Sequence, residues 1–178
     1  YQPMKALIIY SSKTGNTKKV AYGIYENLKD SYDLSIKDMD EINDMAMLDE
    51  YDTLVIGFWI DRGTAHPKAK KFVKQIKNKK IALFATLGAD PSSKHGQDVM
   101  RNLNKLADKS NTLLAVEIYN GLVDPALIEK LKTKPPLFLP KPILNKMIDS
   151  GEKSREPNEE DIQKAVSTFN LALKQASV

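Results

Sequence analysis

At 178 residues the chain is long enough to bury a complete hydrophobic core and short for two independent ones, so residues 4–178 are expected to form one domain. The absence of cysteine excludes disulfides, a dithiol redox centre, thiolate zinc sites and iron–sulfur ligation, so any electron traffic through this chain needs a bound organic cofactor. The formal charge of +4 comes from 27 basic against 23 acidic side chains, too small an excess to argue for nucleic acid as a partner. No apolar run is long enough to cross a bilayer and neither end carries a signal-peptide pattern, so a cytoplasmic location with no membrane insertion is expected. Tyr1-Gln2-Pro3 precede Met4, a candidate initiator, and are set aside.

Lys5 to Tyr10 (KALIIY) is a short apolar run of the kind that forms a strand buried on both faces. The turn-rich segment Ser11 to Thr17 follows, and then Val20, Ala21, Ile24 and Leu28 recur at helical spacing. Tyr32 to Lys37 reads as an edge strand and Thr53 to Phe58 (TLVIGF) as a second buried one. Helical spacing returns after Pro67, with Ala69, Phe72, Val73 and Ile76 on one face. Lys80 to Thr86 (KIALFAT) is the fourth strand. A helix from about Gln97 to Asp108 is expected to bury Val99, Met100, Leu103 and Leu106, and Thr112 to Tyr119 supplies the fifth strand.

Beyond Gly121 the pattern loosens. Pro125 to Leu131 suits a short helix, whereas Lys134 to Pro142 holds four prolines, so residues 121–157 are expected to form an irregular, proline-rich excursion. The last helix begins near Asn158, a good N-cap followed by Glu159, Glu160 and Asp161, and buries Ile162, Val166, Phe169 and Leu173. Strands alternating with helices imply an α/β three-layer sandwich: a five-stranded parallel sheet of order 2-1-3-4-5 with helices on both faces. Ligands of such sheets bind outside the carboxyl ends of the strands where the strand order reverses, which singles out the loops after Tyr10, Phe58 and Thr86.

The first of these, Ser11-Ser12-Lys13-Thr14-Gly15-Asn16-Thr17, joins a buried strand to a helix start. Backbone N–H groups and the helix dipole converge there, Ser12, Thr14 and Thr17 add hydroxyls, and Gly15 permits a close approach or a positive φ; such a place attracts a phosphate. One glycine and no following lysine make it neither a nucleotide-triphosphate loop nor a dinucleotide fingerprint. A turn that merely caps the helix is the competing reading. The second loop holds the only tryptophan, Trp59, within Gly57-Phe58-Trp59-Ile60-Asp61-Arg62-Gly63, either a stacking surface for a flat ring or a core residue. His66 and His95 read as solvated loop residues, or as groups that tune a nearby charge. The seven lysines from Lys68 to Lys80 read as a solvated helix face, or as a dock for an acidic partner.

Ser12-x-Thr14-Gly15-Asn16-Thr17 after an amino-terminal hydrophobic strand resembles the FMN-phosphate loop of the flavodoxin family. The resemblance covers most of the chain up to about Gly121. It implies a flavodoxin-like fold with FMN held noncovalently by Ser12, Lys13, Thr14, Gly15, Asn16 and Thr17 at the phosphate, by Phe58, Trp59, Ile60, Asp61, Arg62 and Gly63 on one side of the flavin, and by Thr86, Leu87, Gly88 and Ala89 at its polar edge. The third loop lacks the aromatic residue that many flavodoxins carry, so the second flavin face is either open or covered by Leu137, Phe138 and Leu139. Gly-Phe-Trp-x-x-x-Gly-Thr with Phe-x-Thr-Leu-Gly-Ala is similar to a flavodoxin subfamily of anaerobic bacteria sometimes associated with bilirubin-reducing systems. The implied function is electron transfer to a redox partner protein by a monomer or weak dimer, with no catalytic side chain and no metal. An FMN-dependent NAD(P)H oxidoreductase acting on a quinone, flavin or tetrapyrrole-like substrate is the alternative, and a flavin-free binding module ranks last.

Overall fold

The computed structural model describes residues 3–178; Tyr1 and Gln2, set aside above, lie outside the described residues. Strand β1 (Lys5–Tyr10) lies between β2 (Asp33–Asp38) and β3 (Thr53–Asp61), parallel to both. Its central position is why KALIIY is apolar throughout: successive side chains point to opposite faces and both faces are covered. Leu7 and Ile9 pack with Phe72 and Val73 of α2 (Pro67–Lys74) and Val99 and Leu103 of α3 (Lys94–Asn104). Ala6 and Ile8 pack on the other side with Val20 and Ile24 of α1 (Asn16–Leu28) and Ile162, Phe169 and Leu173 of α6 (Glu159–Ala176).

Beyond β3 the parallel sheet continues with β5 (Lys80–Leu87) and β6 (Thr112–Asn120), giving the order β2-β1-β3-β5-β6. These five parallel strands follow the expected order. A sixth, β4 (Thr64–Ala65), was not foreseen. It pairs antiparallel with the end of β3, so the segment expected to be a loop after Phe58 is instead a hairpin, with Ile60 opposite Ala65 and Asp61 opposite Thr64. The turn consists of Arg62 (φ 54°) and Gly63 (φ 83°), the two positive-φ residues that a type I′ hairpin demands. Arg-Gly is a weaker signal for this turn than Asn-Gly. The Asn102 side chain of α3 donates to the Gly63 carbonyl at 2.8 Å and pins it.

Helix α3 starts three residues earlier than expected, because Ser93 caps it by accepting from the Gly96 N–H, and it ends at Asn104 rather than Asp108. The larger correction concerns residues 121–157. Two helices occupy much of the stretch expected to be irregular: α4 (Pro125–Thr133) and α5 (Lys141–Lys153), which pack against each other. The prolines do not oppose this arrangement. Pro140 stands at the N-cap of α5 and Pro142 in its first turn, where no intrahelical donor is needed, so the run ends one helix and starts the next. α6 begins at Asn158 as expected, with a capping box in which Asn158 accepts from the Asp161 N–H and Asp161 accepts from the Asn158 N–H.

Gly57, inside β3, leaves the space that the Phe84 ring of β5 fills, and Phe84 meets Phe169 edge to face at 5.6 Å. A methyl group at position 57 overlaps that ring. Gly57→Ala is therefore expected to destabilise the fold by about 1–3 kcal/mol, read as a lower urea midpoint at unchanged slope. An unchanged midpoint would contradict this packing.

Candidate cofactor site

The carboxyl ends of β1, β3, β5 and β6 meet the start of α1 and the body of α4 around a cleft of about 610 Å³, within the range of roughly 300–1,000 Å³ usual for small-molecule sites. Of the residues expected at a cofactor, Ser12, Lys13, Thr14, Asn16 and Thr17 line it from the first loop, Trp59, Ile60 and Asp61 from the end of β3, and Thr86 and Gly88 from the third. Phe58 and Leu87 do not: both are buried in the core beneath α2 and α3. Strand alternation is the reason for Phe58, since its neighbour Trp59 points the other way. Ala89 packs against the same core, while Arg62 and Gly63 form the hairpin turn outside the lining.

The remaining wall escaped sequence reasoning. It consists of Gly121, Leu122, Val123 and Asp124 after β6, with Ala126, Leu127 and Lys130 of α4. The signal was present, because this is another loop at the carboxyl edge of the same sheet and Asp124-Pro125 is a strong helix start. The Leu137-Phe138-Leu139 segment, offered above as a cover, does not line the cleft. α5 instead holds the loops from behind: the Ser154 hydroxyl accepts from the Val123 N–H at 2.9 Å and Ser150 donates to the Gly88 carbonyl at 3.4 Å.

The helix that opens on this cleft has no cap. Gly15, at the N-cap of α1, adopts φ 100° and offers no side chain, so the first-turn N–H groups lack a side-chain acceptor. α3, α4 and α6 are capped by Ser93, Asp124 and Asn158, and α2 and α5 have no capping side chain but carry a proline in the first turn; α1 is the one described α-helix with neither device. The hydroxyls of the loop are turned to other uses. Ser12 Oγ accepts from the Gly15 N–H at 3.1 Å and Thr14 Oγ1 accepts from Asn16 Nδ2 at 3.1 Å. Each hydroxyl thereby keeps its proton to donate. Asn16 Nδ2 also donates to the Leu122 carbonyl at 3.0 Å, and the buried hydroxyls of Thr17 and Thr86 lie 2.9 Å apart, so three loops are fastened together.

Trp59 stacks on His66, with ring centroids 4.2 Å apart and planes 12° from parallel. His66 is not the solvated loop residue expected: it is 4% exposed, its Nε2 has no partner, and its backbone N–H donates to the Trp59 backbone carbonyl at 3.3 Å, which holds the stack in place. Burial pushes its pKa below the ordinary value, against the opposing pull of the Asp61 carboxylate. Lys13 Nζ stands 5.6 Å from the Trp59 ring centroid. The cleft thus offers an uncapped helix start, free hydroxyl donors, a backed indole, and Lys13 and Lys130 balanced by Asp61 and Asp124.

The flavodoxin domain family matches residues 7–170 of this sequence. The chain belongs to the flavodoxin family. It is 34% identical over 177 residues to the flavodoxin-like domain-containing protein BilS of Clostridioides difficile (strain CD3), a match covering 98% of this chain and 99% of that protein. Probable flavodoxin 1 of Bacillus subtilis (strain 168) is 42% identical over 77 residues, 41% of this chain and 47% of that one. Among solved structures, a short-chain flavodoxin associated with a PDU bacterial microcompartment superimposes with a TM-score of 0.63 at 16% identity, over 98% of this chain and 99% of the other. A flavoprotein from Lactobacillus acidophilus NCFM in complex with FMN gives a TM-score of 0.51 at 22% identity, over 73% of this chain and 99% of the other. At these identities the solved structures speak to the fold.

Within this flavodoxin the lysine cluster is not one free surface. Lys68 pairs with Asp40, Lys77 with Asp108 at 2.9 Å, and Lys79 and Lys80 donate to the carbonyls of Tyr51 and Ala176 at 2.5 and 2.9 Å. Several of these cations therefore have partners in the fold, which weakens the docking reading.

Because Trp59 is the only tryptophan, its emission reports on His66, an imidazolium in contact with an indole being a quencher. A fluorescence titration is expected to show acid quenching with a midpoint below 6.5, and His66→Phe, which keeps a ring in the stack, is expected to remove the step. As pH falls below about 6.5 the unfolded chain takes up a proton that folded His66 resists, so stability present at neutral pH declines until the folded pKa is passed. A midpoint at or above 6.5 would contradict the burial.

Proposed function

We propose that this flavodoxin binds FMN noncovalently in the cleft and carries electrons to a redox partner protein. The observation that carries the reading is the uncapped start of α1 beside two hydroxyls that have protons left to give. A dianionic phosphate satisfies that set, because the helix dipole and the first-turn N–H groups favour negative charge where no side-chain carboxylate has been supplied. The turn that merely caps a helix accounts for it less well, since its hydroxyls make no cap. Ser12 and Thr14 would donate to the phosphate. Trp59, backed by His66, would present an indole face to the ring, and Lys13 and Lys130 would set positive charge at the rim.

When bound, the flavin supplies the electron-accepting chemistry that a chain without cysteine lacks. The protein's part is to hold it, to orient it, and to keep the loops from moving as charge arrives. The ties from Asn16 to Leu122 and from Thr17 to Thr86 serve that end. The resemblance of the Gly57–Thr64 and Phe84–Ala89 motifs to a flavodoxin subfamily sometimes associated with bilirubin-reducing systems makes a tetrapyrrole reductase the first partner to test.

An FMN-dependent NAD(P)H oxidoreductase is a second reading, favoured by one observation: among the described residues the cleft lining contains a single aromatic side chain, leaving room for a nicotinamide or a flat substrate. Anaerobic titration separates the two. Reduction by dithionite but not by NADPH supports the carrier, and direct bleaching by NADPH supports the reductase. Thr14→Val removes one hydrogen bond to a charged group, so FMN is expected to bind roughly 10- to 100-fold more weakly while riboflavin, which has no phosphate, changes little. A folded protein that stays colourless after incubation with excess FMN and desalting would end the proposal.

A further inference from the structure

The linker between α4 and α5 presents an unusual combination of chemistry. Leu137 is 104% exposed and Phe138 86% exposed, at a convex turn where neither side chain is covered by the rest of the chain. Ile143 and Met147 on α5 are also exposed. From residue 130 to residue 146 the sequence carries Lys130, Lys132, Lys134, Lys141 and Lys146 and no aspartate or glutamate. Only Lys132 of these has an acidic partner among the described residues, Glu152 at 3.2 Å.

We propose that this tip docks the protein peripherally on an anionic lipid surface, with Leu137 and Phe138 entering the headgroup region and Lys134, Lys141 and Lys146 meeting lipid phosphates. The positive segment selects an anionic occupant. Two further features favour lipid over an acidic protein. Protruding side chains need a complementary pocket in a protein, whereas the interfacial region of a bilayer deforms around them. Moving a loop out of water also strands its backbone donors, and here prolines reduce that cost to chiefly the N–H groups of Leu137 and Phe138, which the hydrated headgroup region can still satisfy: Pro135, Pro136, Pro140 and Pro142 have no N–H to strand. The N–H groups of Lys134, Leu139, Ile143 and Leu144 already donate to the carbonyls of Lys130, Pro136 and, for the last two, Pro140. The same prolines fix the turn, so little conformational freedom is lost on docking. No helix of the described residues is long and apolar enough to cross a membrane, so the contact is peripheral.

The test is sedimentation of the full chain with vesicles. Vesicles of phosphatidylcholine mixed with phosphatidylglycerol are expected to pull the protein down at low salt, and pure phosphatidylcholine vesicles to do so far less. Lys134→Glu with Lys141→Glu should weaken binding by at least about fivefold per lysine, and added salt should do the same. Leu137→Ser with Phe138→Ser should lower the bound fraction at every lipid concentration. These positions are exposed and outside the cleft, and circular dichroism with FMN uptake checks that each variant is folded. Failure to sediment with either vesicle, or sedimentation indifferent to both pairs of substitutions, would overturn the proposal. Slower electron transfer to an acidic protein partner in the tip variants, without vesicle binding, would overturn it in favour of protein docking.

Discussion

A helix begins with N–H groups that nothing inside it can satisfy, and at the start of α1 this chain leaves them without a side-chain acceptor. The cost of that arrangement is about a few tenths of a kcal/mol, the usual loss when glycine stands in place of a capping side chain. Its consequence is directional. The other described α-helices have either a capping side chain or a proline in the first turn, whereas α1 has neither, and its positive end opens into the cleft at the carboxyl edge of the sheet. Gly15 makes this geometry attainable, since its φ of 100° is one that side-chain-bearing residues seldom adopt.

An open helix end is of use only if its surroundings keep their shape. Asn16 bridges its own loop and the loop after β6, Thr17 joins the first loop to β5, and the Ser11 N–H donates to the Gly57 carbonyl of β3 at 2.9 Å. The α4–α5 pair braces the far side through Ser150 and Ser154. Both threonine hydroxyls and the Trp59–His66 stack lie in or against the core. A buried polar contact holds only while its partners are in place, so these ties make the loops behave as one unit. The buried imidazole adds a group whose charge state is coupled to that order.

Charge is distributed by place rather than by total. The lysines between Lys68 and Lys80 include several held by carboxylates or carbonyls of the fold. Those around the proline-rich tip are mostly without acidic partners among the described residues. A formal charge of +4 therefore understates how basic one end of the molecule is and overstates how basic the α2 surface is.

Periodicity in the sequence determined the parallel strands, most of the helices on both faces and the order of the sheet, because patterns of 2 and 3.6 residues are set by local backbone geometry and the faces that must be buried. The Ser-Lys-Thr-Gly-Asn-Thr loop was legible for the same reason, its place between strand and helix being fixed by chain order. The hairpin at Arg62-Gly63, the burial of His66, the helix α5 and the wall contributed by Leu122, Val123 and Leu127 were settled only in three dimensions. Each depends on a packing partner that no local period encodes: Asn102 for the turn, Trp59 for the stack, α4 for α5, and the sheet edge for the wall. Such contacts leave no period in a single chain, so tertiary structure decided them, even for the wall, where chain order and Asp124-Pro125 already marked a further loop and helix start.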